Sequence, residues 1–186
     1  MINVAGSSAQ DRSVVIWVSE GTWRASVDAG LSLAPAGARF TLLHVTSAEV
    51  ADAAHGAYLG LFGRGRGVGR DPGDRLDELA TASAGDLLAR AAERLGRSCE
   101  KVEIHGHTER AVVAASAQAD LLVMARDGDR SRLGPKSLGK AARFVVDHAA
   151  CPVLLVWPEP APDIATIPPP PPHHSPPPPH RPPPGH

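Results

Sequence analysis

The run Val14-Val15-Ile16-Trp17-Val18 is apolar at every position. A strand turns successive side chains to opposite faces, so such a run belongs where both faces of its sheet are covered. A parallel sheet wrapped by helices meets that demand, and the rest of the chain repeats the pattern. Phe40-Thr41-Leu42-Leu43-His44-Val45, a short run from Val102 to Ile104, Asp120-Leu121-Leu122-Val123-Met124-Ala125 and Pro152-Val153-Leu154-Leu155-Val156-Trp157 read as four further strands. Helical periodicity fills the intervals. Trp23, Val27, Leu31 and Ala34 form one buried stripe behind an N-cap at Thr22, and Pro35 and Gly37 end that helix. Leu76, Leu79, Leu87, Leu88, Ala91 and Leu95 mark a long second helix, and Thr108 caps a third. Ala141, Phe144, Val145 and His148 stand at i, i+3, i+4 and i+7 in a last one. The predicted fold is α/β, a doubly wound five-stranded parallel sheet with right-handed crossovers and helices on both faces.

The composition breaks after Trp157. Prolines dominate from Pro158 onward, with runs at Pro168 to Pro172 and Pro176 to Pro179, so this part lacks backbone donors and apolar side chains to bury. The expected division is a flexible N-terminus over 1–12, an α/β domain over 13–158 and a disordered Pro/His-rich tail over 159–186. Within the domain, 47–72 is the least regular stretch. A weak helix from Ala48 to Phe62 runs into the alternating Gly63 to Arg70 segment, which reads as a flexible basic loop or a lid, and Asp71-Pro72-Gly73 is a turn signal. Cys99 and Cys151 are too few for a disulfide framework and read as reduced thiols. The start of the chain lacks the basic and apolar segments of a signal peptide, and no apolar run approaches membrane-spanning length. The expectation is a soluble, cytoplasmic protein. Its formal net charge of -1 gives no general attraction to nucleic acid or to membrane, and neither is expected as a partner.

In doubly wound sheets, ligands bind at the carboxyl ends of the strands, near the point where strand order reverses. That rule selects Ser19-Glu20-Gly21 after strand one, Val45 after strand two, and Arg126 to Lys140 after strand four. The third region carries glycines at 128, 134 and 139, and basic groups from Arg126 to Arg143, and it opens into a helix. Glycines admit a ligand close to the backbone, a helix N-terminus offers free N–H groups, and Arg or Lys adds charge toward phosphate oxygens. The competing reading is a solvated basic loop with ordinary turn glycines. Gly134 to Ala141 nearly spells a P-loop, but Ala141 replaces the hydroxyl that would hold Mg²⁺ and the first glycine lies beyond the strand end. There is no nucleophile elbow, no His-Glu-x-x-His and no Rossmann fingerprint, so no residue is assigned a catalytic role and weak nucleotide hydrolysis is the most the chain offers as an enzyme. His44 and His148 read as packing or hydrogen-bonding residues. His105 and His107 share a face if extended, and His173, His174, His180 and His186 lie in the tail, but no metal site is assigned. A protein that docks proline-rich peptides in an aromatic groove is the partner the tail suggests.

The stretch from Gly139 to Val156, with Lys140-Ala141 at its start and His148-Ala149-Ala150-Cys151-Pro152-Val153-Leu154-Leu155-Val156 at its end, resembles the closing helix and strand of universal stress proteins. In that family a Gly-Ser or Gly-Thr pair opens the helix, and a His-Ala-x-Cys-Pro-Val-Leu-Val run leads into the last strand. Glu20-Gly21-Thr22, Leu43-His44-Val45, Gly106 and Asp120 to Met124 fall in family order, so the resemblance covers about 13–158. It implies a strand order of 3-2-1-4-5 and a homodimer, here through strand five with Val153, Leu155 and Trp157. It also implies, for some members, binding of ATP or a related adenine nucleotide, with Mg²⁺ as an optional companion. The family's nucleotide pattern is Gly, two residues, Gly, nine residues, then Gly with Ser or Thr. Counted back from Gly139, its glycine positions hold Arg126 and Asp129; shifted by one residue, they hold Ala125 and Gly128. Lys140 replaces the hydroxyl residue, and Glu20 stands where Asp is usual. The expected nucleotide site comprises Ser19, Glu20, Val45, Ala125, Arg126, Gly128, Gly139, Lys140 and Ala141, with adenine over Val45 and the phosphates near Gly139 and Lys140. The alternative is a dimeric stress-response interaction module that binds no nucleotide.

Overall fold

The structure, a computed structural model, describes residues 12–47 and 72–167 together with Pro169. The elements are β1 (Ser13–Trp17), α1 (Trp23–Leu33), β2 (Arg39–Ser47), α2 (Pro72–Leu95), β3 (Cys99–Gly106), α3 (Thr108–Ser116), β4 (Leu121–Ala125), α4 (Lys140–His148) and β5 (Val153–Val156). Short 3₁₀ turns lie at Pro135–Ser137 and Ile164–Thr166. The strands form one parallel sheet in the order β3-β2-β1-β4-β5, as expected. The weak helix expected over 48–62, the basic loop over 63–70 and most of the tail lie outside the described residues, as do the side chains of Leu76 and Leu79.

The two-faced apolar runs divide their side chains by parity. Val14, Ile16 and Val18 join Phe40, Leu42 and Val123 in a core closed by Trp23 and Val27 of α1 and by Leu87, Leu88, Ala91 and Leu95 of α2. Val15 and Trp17 join Leu43, Val45, Leu122 and Met124 on the opposite face, under Val112 of α3 and Ala142 and Val145 of α4. Each fully buried Leu, Ile or Val contributes about 1.5–3 kcal/mol by leaving water. Placing β1 at the centre, paired with β2 and β4, lets both sets be buried at once.

The buried stripe of α1 differs from the expected one. Trp23, Ser26, Val27 and Gly30 face the sheet, while Leu31 is 38% exposed. A Cβ at Gly30 would stand 2.7 Å from Ile16 Cδ1, so α1 lies too close to β1 for a larger residue there, and Leu31 is turned about 100° away. In α4 the buried positions are Val145, as expected, and Ala142 in place of Ala141. Phe144 and His148 instead stack on one another at 4.1 Å near the surface. Thr22 occupies the N-cap of α1 without a side-chain capping bond, its hydroxyl donating to the Ser19 carbonyl oxygen, and the cap of α3 is His107 with Thr108 as the first helical residue. Pro72, read as part of a turn, is instead the first residue of α2, where its missing N–H leaves no intrahelical bond unmade.

Two features shape the end of the sheet that matters. β1 stops at Trp17 opposite Leu43, but β2 continues to Ser47, paired with β3 as far as Gly106. The extra four residues of β2 reach about 13 Å beyond the end of β1 and wall off the space above it. Beyond β5, residues 159–167 return to the β4–α4 loop: Arg130 pairs with Glu159 at 3.1 Å, and the Leu133 amide donates to Thr166 Oγ1 at 3.0 Å. β5 lies at one edge of the sheet with all four of its residues half-buried.

Candidate functional site

At the carboxyl ends of β1 and β2 lies a cleft of about 360 Å³. Trp17, Ser19, Glu20, His44, Val45 and Ser47 line its floor and one wall, Ala80, Ser83, Ala84 and Leu87 of α2 the other, and Thr108 its rim. The turn from β1 to α1 is tight. The Ser19 carbonyl accepts from the Thr22 and Trp23 amides at 3.2 and 3.0 Å, and Gly21 takes φ +75°, which suits glycine. The Val18 amide donates to the Leu43 carbonyl at 2.8 Å, so the turn stays fixed to β2. His44 Nδ1 lies 2.7 Å from the Val18 carbonyl oxygen. That oxygen can only accept, so Nδ1 carries the proton of this bond.

A second cleft of about 340 Å³ adjoins the first and shares Trp17, Ser47 and Thr108 with it. His107, Glu109, Asp127, Lys140 and Ala141 complete its lining. Together the two clefts run from the end of β2, across the point where the order reverses between β1 and β4, to the first turn of α4. Of the expected site residues, Ser19, Glu20 and Val45 meet in the first cleft, and Lys140 and Ala141 in the second.

The remaining expected residues belong to the interior of the β4–α4 loop. The Arg126 guanidinium lies over the Trp157 ring, 4.7 Å from its centroid, and bonds to the hydroxyl of the buried Ser137. Ala125 ends β4 and is buried. The Gly128 amide donates to the Ser137 carbonyl at 3.0 Å, and the Asp129 amide to Lys136 at 2.8 Å, so the loop folds back on itself as a hairpin. A Cβ at Gly128 would stand 2.3 Å from the Lys136 carbonyl oxygen. Gly128 thus occupies a position where only glycine fits, whereas Asp129 carries its side chain outward. The Asp129 carboxylate accepts from the Ser131 hydroxyl at 2.6 Å, the Ser131 amide at 3.0 Å and Arg132 Nε at 3.1 Å. These bonds, led by the one from the Ser131 hydroxyl, hold its pKa below the usual carboxylate range.

Gly139 caps α4 in extended backbone, and its amide donates to Asp127 Oδ1 at 2.7 Å. The chain's own carboxylate therefore sits on the amide that opens the helix. A Cβ at Gly139 would come within 2.8 Å of Asp127 Oδ2, so the pair is close-packed as well as bonded. Lys140 is the first residue of α4, and Arg143 braces the loop by donating to the Pro135 carbonyl at 2.6 Å.

Trp17, Ser47, His107, Thr108, Glu109 and Asp127 line the clefts without having been singled out as site residues. The rule that pointed to strands one, two and four, applied equally to strand three, would have pointed to His107, Thr108 and Glu109 just beyond its end. Among the described residues no group of three or more His, Cys, Asp or Glu stands close enough to hold a metal. His105 Nε2 lies 3.4 Å from Glu103 Oε1. Cys99 and Cys151 are free, and burial pushes both thiols up, which keeps them protonated and slow as nucleophiles at neutral pH. No described helix is long and apolar enough to cross a membrane.

A parallel sheet of this order with a cleft at its switch point defines a doubly wound α/β protein. Comparison with known proteins narrows the class. The model of the universal stress protein family matches residues 14–156, and the chain belongs to that family. No curated protein matches it. Among solved structures, it is similar to the hypothetical protein MJ0577 (15% identity, TM-score 0.60, covering 78% of this chain and 95% of that one). It is likewise similar to universal stress protein UspA from Lactobacillus plantarum (19% identity, TM-score 0.57, 78% and 97% covered). A third is a universal stress protein in complex with cAMP (19% identity, TM-score 0.53, 80% and 98% covered). At these identities the likeness is one of fold.

Proposed function

We propose that the chain is a universal stress protein that takes an adenine nucleoside or nucleotide in the double cleft at the carboxyl ends of β1, β2 and β4. The observation that carries this reading is the continuity of the two clefts across the switch point, apolar at one end and carrying the Lys140 ammonium at the other. Trp17 and Val45 offer an apolar surface for a base, and the polar groups of Ser19, Ser47 and Thr108 suit a ribose. Lys140, at the first turn of α4, is the cation within reach of a phosphate. The family membership and the cAMP complex of a protein with the same fold support the choice of ligand. No arrangement of nucleophile and base is part of the proposal; its role is that of a regulator whose state depends on bound nucleotide.

Calorimetric titration with AMP tests the reading. The parent protein is expected to bind, and Lys140→Glu to weaken binding by about tenfold or more, because an attractive charge becomes a repulsive one. Equal AMP affinity in parent and variant would remove Lys140 from the phosphate site. Absence of heat with adenosine, AMP and cyclic AMP alike would leave the interaction-module alternative.

A further inference from the structure

We infer that Asp127 sets the charge of the ligand: its carboxylate fills the anion position at the start of α4, so the cleft takes an adenine nucleoside or a monophosphate and rejects the triphosphate. This rests on the nucleotide reading above and deepens it.

A helix opening offers a phosphate oxygen its first few backbone amides, the foremost of them first in the path of a ligand. Here the Gly139 amide, the foremost of them, is already engaged by Asp127 Oδ1 at 2.7 Å, in a loop closed just after Asp127 by the hairpin bonds of the Gly128 and Asp129 amides. Asp127 also lines the same cleft as Glu109 and Lys140. A ligand advancing from the first cleft therefore meets one ammonium and two carboxylates. One phosphate can pair with Lys140 alone. Each further phosphate must lie against a carboxylate, or displace Asp127 from an amide whose hydrogen bond is charge-assisted and strong. Lys140 stands where the family pattern has a hydroxyl, and its position supplies the single compensating charge.

The substitution Asp127→Asn isolates this effect, because the amide oxygen still accepts from Gly139 and keeps the hairpin closed while the charge is lost. Parent and variant are titrated with adenosine, AMP and ATP, and their thermal midpoints are compared to establish that both are folded. The parent should bind adenosine and AMP more tightly than ATP. Asp127→Asn should raise ATP affinity by roughly tenfold and leave adenosine within about twofold, since the lost repulsion acts only on charge. Glu109→Gln, which leaves the Gly139 bond untouched, should raise ATP affinity less, by roughly threefold. If adenosine binds and the ratio of ATP to adenosine affinity is the same in parent and Asp127→Asn, the inference is wrong and the nucleotide reading survives. If no ligand binds either protein, both fall together.

Discussion

Two connections meet at the same end of the sheet and are built on opposite principles. Residues 18–22, between β1 and α1, form a turn held by backbone bonds to Ser19 and Leu43, with Ser19 and Glu20 lining open space. Residues 126–139, between β4 and α4, form a long loop that turns most of its polar groups inward, Arg126 to Ser137 and Trp157, Asp127 to Gly139, Asp129 to Ser131 and Arg132, although Arg126 Nε stays buried without a partner. The short turn leaves the space beside it open, and the long loop is already occupied by its own side chains. A basic, glycine-rich composition is therefore no measure of how much anion-binding capacity a loop has left.

The comparison breaks most sharply at the glycines, where the two connections use glycine for different reasons. Gly128 is there for space. Its Cβ would overlap the Lys136 carbonyl oxygen at 2.3 Å and approach the Ser137 and Leu138 carbonyl carbons at 2.8 and 2.9 Å, all of them backbone that cannot rotate aside. Gly128→Ala is expected to open the hairpin and to lower stability by about 2–3 kcal/mol, read from the urea midpoint. Limited proteolysis should locate the new cleavage between 126 and 139. An unchanged midpoint would mean that the loop is not closed on itself in solution.

The same contrast governs what could be read from the sequence. β1, β2 and β4 are legible because strands buried on both faces must be apolar on both faces, and the order of the sheet came with the family resemblance. The stripe of α1 was misphased at Leu31 because nothing local reveals that Gly30 must touch Ile16. Ser19 and Glu20 were legible from their places just after β1, whereas Val45, expected just after strand two, lies inside β2, which runs on to Ser47. The interior of the β4–α4 loop was not: that Asp127 turns to Gly139 and Arg126 to Trp157 depends on contacts 12 and 31 residues away along the chain, which composition does not encode. Residues 159–167 were read as tail from their prolines, yet Glu159 and Thr166 are bonded to Arg130 and Leu133.

Gly21 sharpens the comparison from the other side. Nothing lies within 4 Å of a Cβ built there, and only its φ of +75° asks for glycine. Gly21→Ala should cost about 1 kcal/mol through backbone strain alone, with the cleft unchanged in shape. The urea midpoint of Gly21→Ala should therefore fall less than that of Gly128→Ala; the reverse order would mean that the long loop, not the turn, is the more tolerant of the two.

The smallest effect expected is a pH dependence of the long loop. Asp129 has a folded pKa below its ordinary value of 3.8, chiefly because the Ser131 hydroxyl and amide bond to the ionised carboxylate. A depressed folded pKa means that the folded protein prefers the ionised form, so the stabilisation is present above the unfolded pKa and lost as pH falls through the folded one. Asp129→Asn should then lower the thermal midpoint slightly at pH 7, and the difference from the parent should shrink as acid takes the pH down through the folded pKa. Because the carboxylate is solvent-exposed, added salt should reduce the part due to Arg132 while sparing the part due to Ser131. A midpoint difference that stays constant down through that acidic range would assign the effect to the shape of the loop, not to the charge of Asp129.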